Sequence, residues 1–401
     1  MKLLVVVSHY PPEFAGGYEL RCAETVTALR EAGHEVRVLT RRATIQDDAP
    51  YVHRLLKPVV WHDTSHWLYK LWVVRRRTVG FMRNYAIALR MIDQFRPQAV
   101  LQWSPTHIGL GGALAAGRRG ITVVYFVGDM SLANYLQLSG GEWLNRYPRF
   151  ARWIGRVVQA ELLRASRYLD TQYMVFNSFF SQNAYAQRGI CSPNARVIHN
   201  GIRYRVLEQR ELPVPNRFNL LYVGRLVEDK GAHVAIEVLS RLHREHQLTQ
   251  ARLTIVGGGE TDYEQRLRAQ VIQAGLEQHV RFLGKRLPEE MPAIYQNHRV
   301  LLFPVLLEES FGLVLAEAMA HGVTPVASLS GAVPEVVRDG LDGFVVAKED
   351  VAQMAQRTAQ LIRDDRLWQT MRLSGLEHVR THFTREVYVC RVVGYLRQVL
   401  G

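Results

Sequence analysis

The sequence predicts an α/β chain built as two doubly wound, parallel-sheet domains facing a cleft. Three observations predict it. Apolar strand-like segments without polar alternation recur along all 401 residues. Helix-like or turn segments separate them. The whole pattern then restarts after a proline-containing break. Strands without alternation, joined by helices, belong to parallel sheet buried on both faces, and two such sets make two domains.

The elements follow in order. "KLLVVVSHY" is a buried strand, "YELRCAETVTALREAG" a helix ended by Gly33, and "HEVRVLT" the next strand. "QAVLQWS", "ITVVYFVGD", "YMVFNS" and "ARVIHNG" complete the first set. Pro213, Pro215 and Asn216 cannot continue a regular element, and a fresh strand starts at Phe218. This places the first domain at 1–205 and the second at 206–383. The second set reads "FNLLYVGR", "RLTIVGGG", "VRFLGK", "RVLLFPV", "TPVASL" and "GFVVA".

Composition narrows the classes. At 48% hydrophobic and 22% charged residues the chain can fill two cores. The start is not that of a signal peptide, because one Lys precedes only a short apolar run and prolines follow. No run approaches the roughly 18 apolar residues of a spanning helix. Cys22, Cys191 and Cys390 have no paired spacing, which fits a reducing cytoplasm and neither a disulfide framework nor a zinc site. Residues 1–200 hold 25 Lys+Arg against 13 Asp+Glu, whereas the rest of the chain is nearly balanced. The excess concentrates at 68–90 and 143–169, where arginines alternate with Trp, Tyr and Phe. Such helices can lie on anionic lipid at the inner face of a membrane, or be core-packed helices with a solvated basic face. No nucleic-acid recognition module is visible.

The candidate site residues sit at the carboxyl ends of strands, where open parallel sheets bind ligands. Arg225 ends a strand and Lys230 precedes a helix. Both are solvated surface cations or the grip on an anion, which would offset their repulsion by the helix dipole. In "EESFGLVLAEAMAHG" Glu309 lies before a helical pattern and Glu317 inside it. Ser310 or Gly312 could cap that helix and leave N–H groups free near a phosphate. A carboxylate can accept from two vicinal hydroxyls, as a ribose or sugar offers them; Glu309 can equally be an acid set against the helix dipole, and Glu317 a solvated helix residue. Gly16 and Gly17 permit close approach of backbone to a ligand, or are a flexible loop. "IVGGGETD", from Gly257 on, only imitates the dinucleotide fingerprint and reads as a tight turn.

Taken together these motifs resemble the GT-B glycosyltransferases, two Rossmann-like domains, and among them the family-four retaining group (glycosyl transferases group 1). "YPPEFAGGYELRCAETVTALREAGHEVRVLT" resembles that group's first loop, helix and second strand, and "ARVIHNGI" the end of its first domain. "YVGRLVEDKG" resembles its Arg-and-Lys phosphate motif. "EESFGLVLAEAMAHGVTPVA" matches its E-x7-E motif, with Glu309 and Glu317 in the acid positions. The resemblance implies a helix, 384–401, returning to the first domain. It implies that Arg225, Lys230 and the N–H groups of Phe311, Gly312, Leu313 and Val314 stabilise a leaving diphosphate without a metal or other cofactor. Glu317 would hold the ribose, Glu309 the donor sugar, and Gly16 and Gly17 the diphosphate or acceptor. Gly257 would lie at the donor. One slot departs: where the group often has His after the strand matching "ITVVYFV", this chain has Gly128, then Asp129. The contact is missing, or His107 or Asp129 replaces it.

The expectation is a retaining, metal-independent glycosyltransferase, cytoplasmic or peripheral at the membrane. It would move a sugar from a UDP- or GDP-linked donor to an envelope glycolipid or polysaccharide acceptor. The rivals are a GT-B nucleotide-sugar epimerase, which needs no acceptor, and a non-catalytic nucleotide-sugar-binding partner subunit, which would not hydrolyse the donor.

Overall fold

The computed structural model describes residues 1–13, 17–43, 49–58, 67–137, 169–208, 210 and 212–401; within the helix Trp67–Phe95 side chains are described from residue 79. The chain forms two compact units, Met1–Ile198 with Val389–Gly401, and His199–Tyr388.

Unit 1 contains β1 (Lys2–Val7), β2 (Glu35–Arg41), β3 (Val52–Leu56), β4 (Ala99–Gln102), β5 (Thr122–Val127), β6 (Tyr173–Phe176) and β7 (Arg196–Val197). They form one sheet in the order β3-β2-β1-β4-β5-β6-β7, with every neighbouring pair parallel. Leu3 to Val7 are at most 1% exposed, which is why this strand carries no polar alternation. The edge strand β3 was not among the expected strands. Its "VHRLL" interposes His53 and Arg54 among the apolar residues, and only Leu56 is buried. Covered on fewer sides, an edge strand does not need an apolar run. The last helix, Arg385–Leu400, places Val392 and Leu396 in buried positions, and Tyr395 donates from its hydroxyl to the Asn194 carbonyl at 2.6 Å.

Unit 2 contains β8 (Asn219–Val223), β9 (Arg252–Val256), β10 (Val280–Gly284), β11 (Val300–Phe303), β12 (Thr324–Ser328) and β13 (Phe344–Val346). The order is β10-β9-β8-β11-β12-β13, again all parallel. Helix Ala232–Arg244 buries Ala235, Ile236, Leu239 and Leu242 on one stripe against this sheet's core. Burial of each Ile or Leu side chain contributes about 1.5–3 kcal/mol. Helices Val351–Arg363 and Asp365–His382 start at side-chain caps, Asp350 accepting from Gln353 N–H and Asp364 from Leu367 N–H.

Chain order reverses between β8 and β11, and the loops that follow these two strands are stitched together. The Asp229 carbonyl accepts from Leu306 N–H at 2.9 Å and more distantly from Leu307 N–H at 3.4 Å. Gly231 takes the left-handed conformation at φ 73°, and a Cβ there would lie 1.9 Å from the Pro304 carbonyl oxygen. Gly231→Ala therefore meets both a left-handed penalty and a backbone clash, whereas Gly340→Ala, at φ 74° with nothing within 4 Å of its Cβ, meets only the first. The left-handed conformation costs a non-glycine residue roughly 1–2 kcal/mol. Thermal melts should show Gly231→Ala losing clearly more than Gly340→Ala; equal losses would contradict the close approach.

Candidate functional site

Arg225, Lys230 and Glu309, three of the charged residues singled out in the sequence, lie at the switch point of unit 2. Arg225 and Lys230 lie after β8, and Glu309 lies after β11, the two strands between which the order reverses. That crevice is where open parallel sheets bind ligands. Lys230 donates from Nζ to Glu309 Oε2 at 2.7 Å, with only 18% and 14% of the two side chains exposed. A pair this enclosed is screened less than a surface pair, although desolvation offsets part of its attraction. An ammonium group has three hydrogens, so Lys230 can hold Glu309 and a second anion together. Arg225 is exposed. Tyr222, buried beneath both cations, directs its hydroxyl at the Arg225 and Lys230 carbonyls, at 3.3 and 3.1 Å. Burial pushes the Tyr222 pKa up, so the hydroxyl keeps the proton it donates. Lys230 ends a short 3₁₀ turn, Glu228–Lys230, and left-handed Gly231 separates that turn from the helix Ala232–Arg244.

Glu309 is fixed through its backbone. Its N–H donates to Ser330 Oγ at 3.2 Å, and its carbonyl accepts from Ala332 N–H at 2.8 Å. The same Ser330 hydroxyl donates to the Leu307 carbonyl. Gly331, at φ 51°, leaves no room for a Cβ, which would sit 2.1 Å from the Glu309 carbonyl oxygen. Next to it Glu308 accepts from Lys348 and from Gly331 N–H, and the Lys348 hydrogen bond holds its carboxyl below the usual range.

Beyond Glu309, Phe311 is buried and Gly312 is the N-cap, at φ 84° and with no side chain to offer, of the helix Leu313–Ala320. Among the described residues no carbonyl accepts from the N–H groups of Phe311, Gly312, Leu313 or Val314, so the positive end of the helix offers these donors. Glu317 lies in the middle of this helix. Tyr295, fully buried, donates its hydroxyl to Glu317 Oε2 at 3.1 Å, and His321 stacks on the Tyr295 ring at 5.3 Å while bonding the Glu317 carbonyl. Burial holds His321 below its ordinary pKa. Gly257, at φ 139°, approaches the loop after β8 so closely that a Cβ would lie 1.8 Å from the Gly224 carbonyl oxygen. That packing explains this glycine without a ligand.

In unit 1 the outcome is mixed. Gly16 lies outside the described residues, as do positions 143–168 of the second basic stretch and the side chains of 68–78 in the first. Gly17 is the exposed first residue of the helix Gly17–Glu31. His107 packs edge-on against His9 at 5.1 Å. Burial, then the Arg41 charge, pushes His9 down to about 4, and the same two causes lower His107, so both rings are neutral at pH 7. Asp129 is exposed and accepts from Ser131 N–H at 2.8 Å, the usual work of a residue before a helix, here Ser131–Gln137. The space above Gly128 belongs to Tyr18, whose ring carbons would lie 2.2 Å from a Cβ at position 128.

Sequence reasoning missed Tyr222, Tyr295, Ser330 and Gly331, which orient the charged residues. It also missed the Tyr18–Gly128 pairing. Only Ser330-Gly331 carries a local signal, a small-residue pair at the end of a strand.

Two family models divide the chain between them. "Glycosyltransferase Family 4" matches residues 15–205, and "Glycosyl transferases group 1" matches residues 206–375. D-inositol 3-phosphate glycosyltransferase of Corynebacterium efficiens is 34% identical over 175 residues, 43% of this chain and 41% of that protein. This match thus spans about two fifths of the relative's length. The enzyme of the same name from Salinispora arenicola is 26% identical over 379 residues, 91% of this chain and 83% of that protein. Among solved structures, Anabaena HepE with UDP and glucose superposes with a TM-score of 0.69 at 19% identity, covering 99% of this chain and 100% of that one. A glycosyltransferase from Rickettsia africae gives 0.71 at 15% identity, covering 99% and 98%. At such identities these two likenesses show the fold.

Proposed function

Since the chain belongs to the GT-B glycosyltransferases of the family-four-like, group 1 kind, we propose that it is a retaining transferase. It moves a sugar from a UDP- or GDP-linked donor to an envelope glycolipid or polysaccharide acceptor. The observation that carries the donor half is the juxtaposition of Lys230, Glu309 and the open N-terminus of helix Leu313–Ala320 at one switch point. The named ligands of Anabaena HepE, UDP and glucose, support the same reading.

The chemistry follows from charge. Cleaving a sugar–diphosphate bond builds negative charge on the departing phosphate. Lys230 and the N–H groups of Phe311 to Val314 supply positive potential whose orientation is set before the reaction, and the exposed Arg225 adds a second cation where that charge appears. This set neutralises the leaving group without a resident metal. Glu309, held by Ser330 and Ala332, accepts from hydroxyls of the donor sugar. Glu317, aimed by Tyr295, accepts from the ribose. The envelope acceptor rests on the basic first half of the chain, and Arg83 and Arg90 are exposed on the helix Trp67–Phe95.

Arg225→Ala and Lys230→Ala should each lower kcat/KM by about 10²–10³-fold, as loss of one donor to a developing anion does elsewhere. Glu317→Gln should weaken calorimetric binding of the free nucleoside diphosphate, while Glu309→Gln should spare it and reduce transfer. Normal turnover in both cation variants, or equal losses of nucleotide affinity in both acid variants, would overturn these assignments. The acceptor half is checked separately by vesicle co-sedimentation. At low salt the protein should pellet with anionic vesicles and not with neutral ones, each basic residue contributing about 1 kcal/mol; a protein left in the supernatant speaks for a soluble acceptor.

A further inference from the structure

His199 and Glu335, both in unit 2, meet at 2.9 Å between Nε2 and Oε2, with 18% and 17% of their side chains exposed. An ionised carboxylate only accepts, so the Nε2–H group donates. The imidazole also touches two aromatic rings. Phe311 lies 5.9 Å away at a tilt of 33°, and Phe383 meets it edge-on at 5.8 Å. Phe311 and Phe383 meet each other at 5.7 Å, and both are at most 2% exposed. Phe383 is anchored through its backbone, its carbonyl accepting from Ile202 N–H at 2.6 Å. His378 packs edge-on against Phe383 at 5.0 Å; burial, then the Arg338 charge, pushes it down to about 4, so it is neutral at pH 7.

Glu335 belongs to the turn that fixes Glu309. Its N–H donates to the Ala332 carbonyl at 2.9 Å, and Ala332 N–H donates to the Glu309 carbonyl at 2.8 Å. Phe311 follows Glu309 closely in the chain and carries the first of the N–H groups assigned to the leaving phosphate. The contacts therefore close a ring: Glu309, Phe311, His199, Glu335, Ala332 and back to Glu309. Stability does not explain the choice of residues at its far side. Two mostly buried polar groups lose hydration, and apolar side chains of similar volume often serve as well or better. A hydrogen bond fixes distance and direction, which apolar packing does less strictly.

We propose that His199, held by Glu335, is a positioning residue: through Phe311 it sets the orientation of the N–H groups of Phe311 to Val314 toward the leaving phosphate. It acts through Phe311 and the turn at 330–335, not by contact with the donor. This inference rests on the transferase reading. Misaligned donors weaken contacts that grow as charge develops, so the loss falls on kcat more than on KM.

The test is hydrolysis of UDP-glucose and GDP-mannose by the full chain without acceptor, with melting temperatures on the same samples. His199→Phe and Glu335→Leu should each lower kcat by about tenfold, a part of what loss of a whole donor does. Donor KM should change by less than about twofold. Glu335→Gln, whose amide oxygen still accepts from Nε2–H, should keep most of the turnover. The double variant His199→Phe/Glu335→Leu leaves neither partner stranded. It should melt no lower than the wild type and yet stay as slow as the single variants, which a merely structural pair would not do. A double variant as fast as the wild type would overturn the proposal, as would Glu335→Gln as slow as Glu335→Leu. If the double variant does not fold, the comparison of Glu335→Leu with Glu335→Gln decides by the same kcat criterion. If the wild type binds UDP or GDP but hydrolyses neither sugar nucleotide, calorimetry decides. Glu335→Leu should then weaken the free diphosphate by about threefold and spare the monophosphate, because the free β-phosphate carries the charge that the donor only develops; unchanged diphosphate affinity would overturn the proposal. A wild type that neither binds these diphosphates nor hydrolyses these donors counts against the transferase reading and takes this inference with it. Active variants that match an active wild type count against this inference alone.

Discussion

The ion pair between Lys230 and Glu309 organises the donor half of the site. It joins the loops after β8 and β11, the neighbouring strands at which the sheet changes direction. Around it the backbone leaves little freedom. Gly231 lets one loop reach Pro304, and Gly331 lets another reach Glu309. Two opposite charges held at 2.7 Å in a half-enclosed crevice need such support, because desolvation alone would favour their separation. The support also keeps the ammonium in place for a second anion, a role that a freely moving lysine would fill less well.

Two further features complete the arrangement. The helix Leu313–Ala320 begins at a glycine, so no side chain satisfies its first N–H groups. Compared with glycine, an Asp or Ser cap is worth only about a few tenths of a kcal/mol. Its absence leaves the helix end open to a ligand anion. Glu317 sits farther along the same helix and takes its orientation from Tyr295 instead of a cation. The two acids therefore differ in electrostatic setting, one paired with a lysine and one hydrogen-bonded to a phenol. That difference underlies their separate assignments to sugar and ribose.

Much of the fold was legible because buried parallel strands must be apolar throughout, as Leu3–Val7 and Leu220–Tyr222 are. The edge strand β3 escaped because His53 and Arg54 face less of the core. The charged residues of the donor side were legible from type and spacing, but their meeting was not. Nothing local in "GRLVEDKG" says that Lys230 reaches a glutamate 79 positions later. The second layer was hidden for the same reason. Ser330 and Gly331 act through backbone contacts with residues more than twenty positions away, and Tyr222 acts on carbonyls. Gly128 looked like a missing contact, because only the folded chain shows the Tyr18 ring occupying that space.

The central claim is that Lys230, held by Glu309, grips the terminal phosphate of a nucleoside diphosphate. The most direct measurement is the affinity added by the β-phosphate: calorimetry with the nucleoside mono- and diphosphates of uridine and guanosine, in the wild type and in Lys230→Ala. The account predicts that in the wild type the diphosphate of one base binds at least about tenfold tighter than its monophosphate, near 1.4 kcal/mol. In Lys230→Ala most of that increment should disappear, while monophosphate affinity changes little. An increment of the same size in both proteins would contradict the claim and place the phosphate elsewhere.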